Sequence, residues 1–427
     1  MELYNIKHPE DVVGFSEAVM RGIGRDGGLF FPRDIPCWQD IGALLELPFV
    51  ERSTEIAARL LADTFTRETC ARLVGASLGF SAPLVPVSER NSALELFHGP
   101  TLAFKDFGAR FMAQVLAEVA RRQAHDAPIT ILSATSGDTG AAVAHAFYGV
   151  PGIKVVILFP RGRISALQEK LFTTLGGNIH TLAVEGDFDT CQALVKACFE
   201  DAALVREQGL NSANSINISR LLAQCFYYFE AVASAPERDE LVVSVPSGNI
   251  GNLTAGLLSQ RMGLPIKAFV AATNSNDTVP RYLDSGIWKV NPTVATLSNA
   301  MDVSAPNNWP RVEELFAREH KSPRAELRSL AFNEAETIMA MRELAELGYL
   351  AEPHGAIAYA GLKASLRDGE RGIFLCTAHP AKFKDSVEAI LGRTLELPEA
   401  LAKVANLPSL AQPTAADLGE LKKALRG

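Results

Sequence analysis

The sequence lacks several features that would assign it to whole classes of protein. No apolar run in its 427 residues is long enough to span a bilayer, and the N-terminus has neither the basic nor the apolar block of a signal peptide. The sequence also has fewer basic than acidic residues. The formal net charge of -8 argues against nucleic acid or an anionic membrane as a partner. Internal repeats and low-complexity tracts are missing as well. These absences favour an ordinary globular protein of the cytoplasm.

The six cysteines form neither a metal-binding nor a disulfide pattern. They show no Cys-x-x-Cys spacing, and Cys191 and Cys198 fall on one face of a predicted helix, as buried free thiols commonly do. We therefore expect no metal site, no disulfide framework and a reducing compartment.

From about residue 100 the chain alternates short β-branched runs with helical segments, which is typical of α/β proteins. Buried parallel strands are predicted at 128–134, 153–159, 179–184, 241–245, 266–270 and 372–376. Helices are predicted at 138–148, 165–175, 188–201 and 217–232. This alternation predicts doubly wound layers, in which ligands bind beyond the carboxyl ends of the strands.

A chain of this length is too long for one small core, and we expect three units. Residues 1–82 predict an N-terminal helical subdomain around a glycine-rich loop at 22–32. We expect two α/β lobes, at 83–232 and 233–427, with the chain passing between them in an exposed polar segment at 233–240. Residues 274–305, rich in Asn, Ser, Thr and Pro, predict a long ordered loop, and such loops are often functional. The tail from 411 predicts a short surface helix.

Lys105 lies in an apolar, small-residue segment that leads into a long helical stretch. Flanked by Phe104 and Phe107 at the start of a helix, it is poorly placed for solvation. Burial and the positive helix N-terminus both predict a lowered pKa. A free amine near neutral pH is what a Schiff base with pyridoxal phosphate requires. The alternative is a surface charge without chemistry, as most lysines are.

A glycine-rich loop follows the predicted strand at 241–245 and precedes a helix that begins near Leu253. Glycines let successive backbone N–H groups converge, and the helix N-terminus adds partial positive charge. The loop therefore suits a phosphate monoester without any lysine or arginine. Its members are Gly248, Asn249, Ile250, Gly251 and Asn252. The alternative is a turn that uses Gly and Asn for positive φ, but together with Lys105 the loop makes a cofactor site the leading interpretation.

Three further polar segments lie at predicted strand ends or helix starts. The segment at 133–139 suits a carboxylate or a second phosphate, and the alternative is an N-cap cluster. The segment at 214–220 ends in Arg220, which is either a phosphate-binding fork or a surface arginine. Thr377 could pair with a neutral heterocyclic nitrogen, and the alternative is a helix cap. His379 could act as a base, and the alternative is a hydrogen-bonded structural histidine.

These segments together resemble the threonine synthase family in its long bacterial form, within the fold type II (tryptophan synthase β-like) pyridoxal phosphate enzymes. The resemblance covers nearly the whole chain. Its segments are 26–32, 98–108, 136–140, 167–172, 214–220, 247–251, 300–308 and 377–383. The N-terminal segment, the Ser136-Gly-Asp-Thr-Gly140 sequence and the region around Met301 and Asp302 are the most specific to that family.

The resemblance implies Lys105 as the Schiff-base lysine, residues 248–252 as the cup for the cofactor phosphate, and Thr377 as the partner of the pyridine nitrogen. It implies substrate contacts from Ser133, Thr135, Ser136, Asp138, Thr139, Ser215, Asn217 and Arg220. The first five would hold the α-carboxylate and the last three the phosphate. Asp138 is a departure, because many members of the wider superfamily have Asn beside the cofactor's 3'-oxygen. An anionic carboxylate would repel a phenolate, so that contact is left unassigned.

The implied reaction converts O-phospho-L-homoserine and water to L-threonine and phosphate, by γ-elimination followed by β-addition of water. It is the last step of threonine biosynthesis. The resemblance implies pyridoxal 5'-phosphate as cofactor, a small-molecule substrate, no nucleic acid or membrane partner, and a monomer or homodimer.

Two alternatives compete with this reaction. Another pyridoxal phosphate lyase of the same fold, such as a threonine or serine dehydratase or a phospholyase, fits less well because of the N-terminal subdomain and the segment around Arg220. A non-catalytic scaffold that has kept the fold predicts loss of Lys105 or of the glycine-rich loop, and both are present.

Overall fold

The computed structural model of the chain describes residues 1–123 and 127–426. Within these residues the strands are β1 (Glu2–Asn5), β2 (His8–Gly14), β3 (Phe30–Pro32), β4 (Leu84–Pro86), β5 (Asn91–Glu95), β6 (Ile129–Ala134), β7 (Ile153–Pro160), β8 (Ile179–Val184), β9 (Leu210–Asn211), β10 (Leu241–Pro246), β11 (Ala268–Thr273), β12 (Arg328–Ala331), β13 (Arg371–Cys376) and β14 (Gln412–Thr414). The helices are α1 (Phe15–Arg21), α2 (Ile41–Leu45), α3 (Phe49–Leu60), α4 (Arg67–Ser77), α5 (Lys105–Arg122), α6 (Asp138–Phe147), α7 (Ala166–Thr173), α8 (Phe188–Glu200), α9 (Ala202–Gln208), α10 (Ile218–Ala223), α11 (Cys225–Ser234), α12 (Gly251–Arg261), α13 (Thr278–Ser285), α14 (Trp309–Ala317), α15 (Pro323–Glu326), α16 (Glu334–Glu346), α17 (Pro353–Ser365), α18 (Lys384–Leu391), α19 (Glu399–Ala405) and α20 (Leu418–Arg426). Short 3₁₀ turns lie at Arg25–Gly27, Asn299–Met301 and Pro380–Phe383.

A parallel sheet with the strand order β14-β8-β7-β6-β9 forms the first lobe. Every residue of Ile129–Ala134 is buried. Such a continuously buried strand is typical of a parallel sheet that helices cover on both faces. The strands predicted at 128–134, 153–159 and 179–184 are confirmed to within one residue. Because α6 follows β6 directly, residues 135–138 lie at the carboxyl edge of this sheet.

A second sheet has the strand order β12-β11-β10-β13-β5-β4, parallel except for the pair β4 and β5. β10 and β13 are neighbours, with Leu241 opposite Arg371, so the loops that follow them lie at the same edge. The strand predicted at 266–270 is shifted to Ala268–Thr273. Two doubly wound lobes are therefore present, as predicted.

The predicted boundaries between the lobes are wrong for three strands. β4 and β5 fall within the predicted first lobe, 83–232, but belong to the second sheet, and β14 falls within 233–427 but pairs with β8 in the first sheet. None of these three strands was predicted, and the tail from 411 contains β14 as well as the predicted helix, α20. The chain crosses between the lobes more than once. Residues 124–126, inside the predicted first lobe, and residue 427, the last of the predicted second lobe, lie outside the described residues.

The N-terminal subdomain contains the predicted helices, α1 to α4, but also an antiparallel sheet in the order β2-β1-β3 that the sequence analysis missed. β2 carries no clear alternation of buried and exposed residues, so its pattern gave no signal. Asn211 attaches the subdomain to the first lobe, because its Nδ2 donates to the carbonyls of Val19 and Met20 at 3.0 and 2.9 Å.

Two other predictions need correction in detail. The single helix predicted at 217–232 is two helices, α10 and α11, separated at Gln224. The predicted loop at 274–305 is ordered but contains α13. Its order comes from a buried polar network in which Asn274 Nδ2 donates to Asp302 Oδ1 at 2.9 Å and Thr296 Oγ1 donates to the same oxygen at 2.7 Å.

Helices between the lobes are joined by aromatic contacts. Phe107 of α5 packs edge-on against Tyr227, with 5.2 Å between ring centroids, and Tyr228 packs on Phe269 of β11 at 5.9 Å. The helix that begins with Lys105 therefore packs on α11, which in turn packs on the second sheet. All six cysteines are free thiols, and Cys191 and Cys198 are buried as predicted. Among the described residues, no helix combines the length and the apolar character needed to cross a membrane.

Candidate active site

Lys105 is the first residue of α5 and lies beside the end of β13. The backbone N–H of Phe104 donates to the carbonyl of Thr377 at 2.9 Å, and Ala103 forms an antiparallel bridge with Ala378. This pairing holds the lysine segment against the loop that carries Thr377. Two residues that the sequence analysis assigned to one site are thus brought together from distant parts of the chain.

The pKa of Lys105 is lowered to about 8, chiefly by burial. The carboxylate of Asp138 raises this pKa, while the cations Arg220 and Lys382 lower it. The predicted direction is confirmed, and burial is its main cause. Within the described part of the chain, Lys105 Nζ has neither a hydrogen-bond acceptor nor an ion-pair partner, so its amine is available for chemistry.

The glycine-rich loop at 248–252 leaves β10 and opens α12 at Gly251. A Cβ on Gly248 would lie 2.7 Å from Cα of Met301, closer than real atoms approach, so this position requires glycine. Ile250 adopts φ 61°, which is unfavourable for a β-branched residue and is held by the surrounding structure. Such local strain is concentrated at ligand-binding loops.

The two asparagines of this loop make side-chain hydrogen bonds within the protein. Asn249 Nδ2 donates to Ser215 Oγ at 3.0 Å, and its Oδ1 accepts from the backbone N–H of Asn307 at 2.6 Å. Asn252 Oδ1 accepts from the hydroxyls of Tyr227 and Tyr228 at 2.7 and 2.6 Å. Their side chains brace the loop, which leaves its backbone N–H groups to form the anion site.

The segment at 133–139 divides into structural and accessible hydroxyls. Ser133 is fully buried and donates to Asn214 Oδ1 at 3.0 Å, while Thr135 Oγ1 accepts from Gly137 N at 2.9 Å and Gly140 N at 2.8 Å. Both residues therefore have a loop-forming role, and their contacts to substrate stay a prediction. Ser136 and Thr139 are partly exposed at the start of α6 and retain the predicted position for a carboxylate.

Asp138 forms a buried ion pair that the sequence did not reveal. Lys382 Nζ lies 2.5 Å from Asp138 Oδ1, and Gln168 Nε2 donates to the same oxygen at 3.2 Å. Burial opposes ionisation of Asp138, but Lys382 and Lys105 outweigh it and hold the pKa of the carboxyl at about 2. The repulsion expected from an isolated carboxylate is thereby reduced.

The segment at 214–220 also separates into different roles. Asn217 is fully buried and caps α10 through Ser219, which gives it a structural role, and its contact to the substrate phosphate stays a prediction. Ser215 Oγ accepts from Asn249 and from Asn308 Nδ2 at 3.2 Å, which places it against the glycine-rich loop. It therefore lies closer to the predicted cofactor cup than the sequence suggested.

Arg220 is buried beside α5, not on the surface. Its Nη1 donates to the carbonyl of Ala213, whereas its buried Nε has no partner in the described structure. Burial lowers the pKa of Arg220 to about 10, although Asp106 opposes the shift. A buried guanidinium with an unused donor near Lys105 is suited to hold an anionic group.

Asn308 and Arg311 belong to the site although the sequence analysis did not select Arg311. Arg311 is fully buried and donates to Asn308 Oδ1 at 2.8 Å, to the Ile216 carbonyl at 2.7 Å and to the Phe30 carbonyl at 2.9 Å. Burial lowers the pKa of Arg311 to about 9. The sequence gave no signal for it because two of its partners, Phe30 and Ile216, come from distant segments.

His379 is a structural cap. Its Nδ1 accepts from the backbone N–H of Ala381 at 3.1 Å, and burial lowers the pKa of its ring to about 4. The structure therefore supports the prediction of a hydrogen-bonded structural histidine and not that of a base.

These residues fit pyridoxal 5'-phosphate. Bare backbone at Gly248 and Gly251 with a helix start suits the phosphate, an amine of lowered pKa at Lys105 suits the aldehyde, and a neutral hydroxyl at Thr377 suits the ring nitrogen.

Comparison with known proteins agrees with this fit. Three family models match: "Pyridoxal-phosphate dependent enzyme" over residues 93–377, "Threonine synthase N terminus" over 6–78 and "Threonine synthase, C-terminal" over 355–425. The chain is 61% identical to a threonine synthase of Haemophilus influenzae, covering 99% of each chain. Its fold matches the crystal structure of threonine synthase from Escherichia coli with a TM-score of 0.95 and 58% identity, covering 100% of this chain and 99% of the other. It also matches the structure of PLP-bound threonine synthase from Brucella melitensis, with a TM-score of 0.93, 33% identity and the same coverage.

Proposed function

Because the chain belongs to the threonine synthase family, we propose how its residues divide the work of that enzyme. The reaction is the conversion of O-phospho-L-homoserine and water to L-threonine and phosphate, with pyridoxal 5'-phosphate as cofactor. The chain is accordingly a lyase. Bound in this site, the cofactor supplies an electron-accepting ring that stabilises negative charge on substrate carbons.

Lys105 is the residue that attaches the cofactor and moves protons. Its amine removes protons from the substrate Cα and Cβ as phosphate leaves Cγ. Cγ is then protonated, water adds its hydroxyl at Cβ, and a proton returns to Cα. The observation that carries this role is the lowered pKa of about 8, with no partner for Nζ among the described residues. About a tenth of the amine is therefore free at pH 7, far more than for a lysine of ordinary pKa.

The loop at 248–252 binds the cofactor phosphate through its backbone, and Thr377 faces the ring nitrogen. A hydroxyl partner leaves that nitrogen neutral, which limits the withdrawal of electrons into the ring. Support for these roles is the close approach required at Gly248, the strained φ of Ile250 and the pairing of Phe104 with Thr377.

Ser136 and Thr139 bind the substrate carboxylate, and Arg220 binds its phosphate. The support for the carboxylate role is two partly exposed hydroxyls at the N-terminus of α6. The support for the phosphate role is the unused Nε of a buried guanidinium. The loops that carry these contacts are fixed by hydrogen bonds of Ser133, Thr135 and Asn217. Ser215 stabilises the cup through its hydrogen bond with Asn249.

The decisive experiment incubates the cofactor-loaded enzyme with O-phospho-L-homoserine and measures phosphate and amino acid together. Equal amounts of phosphate and threonine are expected. Phosphate accompanied by a keto acid and ammonia would instead identify a phospholyase of the same fold. Turnover of unphosphorylated threonine or serine would favour a dehydratase.

We expect the enzyme to work in the cytoplasm as a monomer or homodimer, on a small molecule and without a nucleic acid or membrane partner. The net charge of -8 and six free thiols support this proposal. The three predicted units, corrected for β4, β5 and β14, are proposed as its domains.

A Gly251→Val variant is expected to weaken binding of pyridoxal phosphate much more than it weakens folding. A Cβ at Gly251 would lie 3.2 Å from Asn308 Nδ2 and 3.3 Å from Ser215 Cβ, so the added methyl groups displace the residues that brace the cup. Titration of the cofactor-free chain, followed by absorbance, gives the dissociation constant.

Gly75→Val is the matched control, because a Cβ at Gly75 in α4 meets nothing within 4 Å. This substitution should leave cofactor affinity at the parent value. Equal affinity in both variants would mean that the loop is only a structural turn.

A further inference from the structure

Two lysines act on one carboxylate inside the site, and one of them is in contact with it. Lys382, from the 3₁₀ turn Pro380–Phe383, has a fully buried side chain and lies 2.5 Å from Asp138 Oδ1. Its Nζ also donates to the carbonyl of Thr101 at 2.9 Å, in the segment that leads to α5. Lys105 is the second lysine, and it forms no ion pair within the residues that the structure describes.

This pairing matters because Lys105 and Asp138 attract each other. The carboxylate favours the ammonium form of Lys105, and Lys105 in turn favours the ionised form of Asp138. A lysine that neutralised Asp138 itself would be held as an ammonium and would not attack an aldehyde. The site therefore needs another cation at Asp138.

We propose that Lys382 is a positioning residue that occupies Asp138 and so keeps Lys105 unpaired, leaving its amine free to react with the aldehyde of the cofactor. The inference rests on the proposed role of Lys105. It also assigns a use to a buried cation whose contacts are Asp138 and the Thr101 carbonyl.

Other charged groups around the two lysines do not replace Lys382. Asp106 is engaged by Thr101, whose N–H and hydroxyl donate to it at 2.9 and 2.7 Å. Arg220 lowers the pKa of Lys105 but is hydrogen-bonded to Ala213, with no contact to Asp138 within the described chain. His354 is paired with Glu352 through Nδ1 and acts on Asp138 only over a longer range.

Loss of Lys382 therefore leaves Lys105 as the nearest cation to a buried carboxylate. In a Lys382→Met variant the ammonium form of Lys105 becomes more favourable, and its titration moves to higher pH. A shift of one pH unit lowers the free-amine fraction at neutral pH about tenfold.

The test measures the titration of Lys105 directly in the full-length, cofactor-free chain. Brief acylation with acetic anhydride over a pH series, followed by peptide mass spectrometry, gives the pH midpoint at which Lys105 becomes reactive. The midpoint should rise by about one unit or more in Lys382→Met and stay near the parent value in Lys382→Arg. In Asp138→Asn/Lys382→Met it should return to or below the parent value, because the attracting carboxylate is gone.

An unchanged midpoint in folded Lys382→Met would overturn the proposal, as would an equal rise in the double variant. If Lys382→Met does not fold, Asp138→Asn alone decides: a lower midpoint supports the proposal and an unchanged one contradicts it. Addition of pyridoxal phosphate to the same samples tests the proposed function separately. Absence of a visible band in the parent would reject the role of Lys105 toward the cofactor, while the acylation midpoints would still report its competition with Lys382.

Discussion

A Lys105→Ala enzyme is expected to lose turnover by more than about 1,000-fold and to lose the visible absorption band of the cofactor-loaded protein. The substitution removes both the attachment point of the cofactor and the amine that moves protons at the substrate carbons. The fold should survive, since Lys105 Nζ has no partner within the described residues. Weak residual binding of pyridoxal phosphate is expected because the loop at 248–252 is unchanged.

Steady-state assay, absorbance spectra and thermal unfolding of the same preparation check these expectations. Lys403→Ala is the control, since Lys403 has a side chain that is 70% exposed and paired with Glu399 on the surface. It should match the parent in all three measurements. Activity of Lys105→Ala within tenfold of the parent would reject its assignment.

An Arg220→Ala enzyme is expected to require much more O-phospho-L-homoserine while keeping the visible band. Loss of a charge-assisted hydrogen bond to phosphate costs on the order of 1.5–3 kcal/mol, which corresponds to a roughly ten- to 150-fold loss in kcat/KM. Part of the loss should appear in kcat, because the same guanidinium stabilises the departing phosphate. Inhibition by inorganic phosphate should weaken in parallel.

Arg220 is also buried, so thermal unfolding must accompany the kinetics. Arg238→Ala provides the control, because Arg238 donates to the carbonyls of Val232 and Ala233 away from the site. If the kinetic constants and phosphate inhibition of Arg220→Ala equal those of the parent, the substrate phosphate binds elsewhere. If the visible band disappears as well, Arg220 supports the cofactor or the fold instead.

The residues that sequence reasoning found are those whose role follows from a contiguous pattern. Lys105 is set between two phenylalanines at a helix start, and the glycine-rich loop follows a strand and opens a helix. Both patterns are local, and the structure retains both. The lowered pKa of Lys105 also followed from local reasoning, because burial is its main cause.

The features that the sequence did not predict depend on contacts made in the tertiary structure. Ser133, Thr135 and Asn217 have the hydroxyl or amide groups of ligand contacts, but the fold uses those atoms to fix its own loops. Lys382 gave no signal because its partners, Asp138 and Thr101, come from remote segments, and Arg311 because Phe30 and Ile216 do. The short strands β4, β5 and β14 were not predicted, and pairing with distant strands leaves no local pattern.

The crossing of the chain between lobes sets the order in which a newly made molecule can become active. β5, ahead of Lys105, pairs with β13, and the N–H of Phe104 is held by the carbonyl of Thr377. Until the segment around Thr377 has left the ribosome, the lysine segment of the nascent chain lacks the strand end to which it hydrogen-bonds. In the second sheet β13 lies between β10 and β5, so these two strands are not joined until β13 has been made. Capture of the cofactor is consequently a late event of synthesis, and a chain stopped before residue 377 releases a polypeptide with every upstream motif and no site.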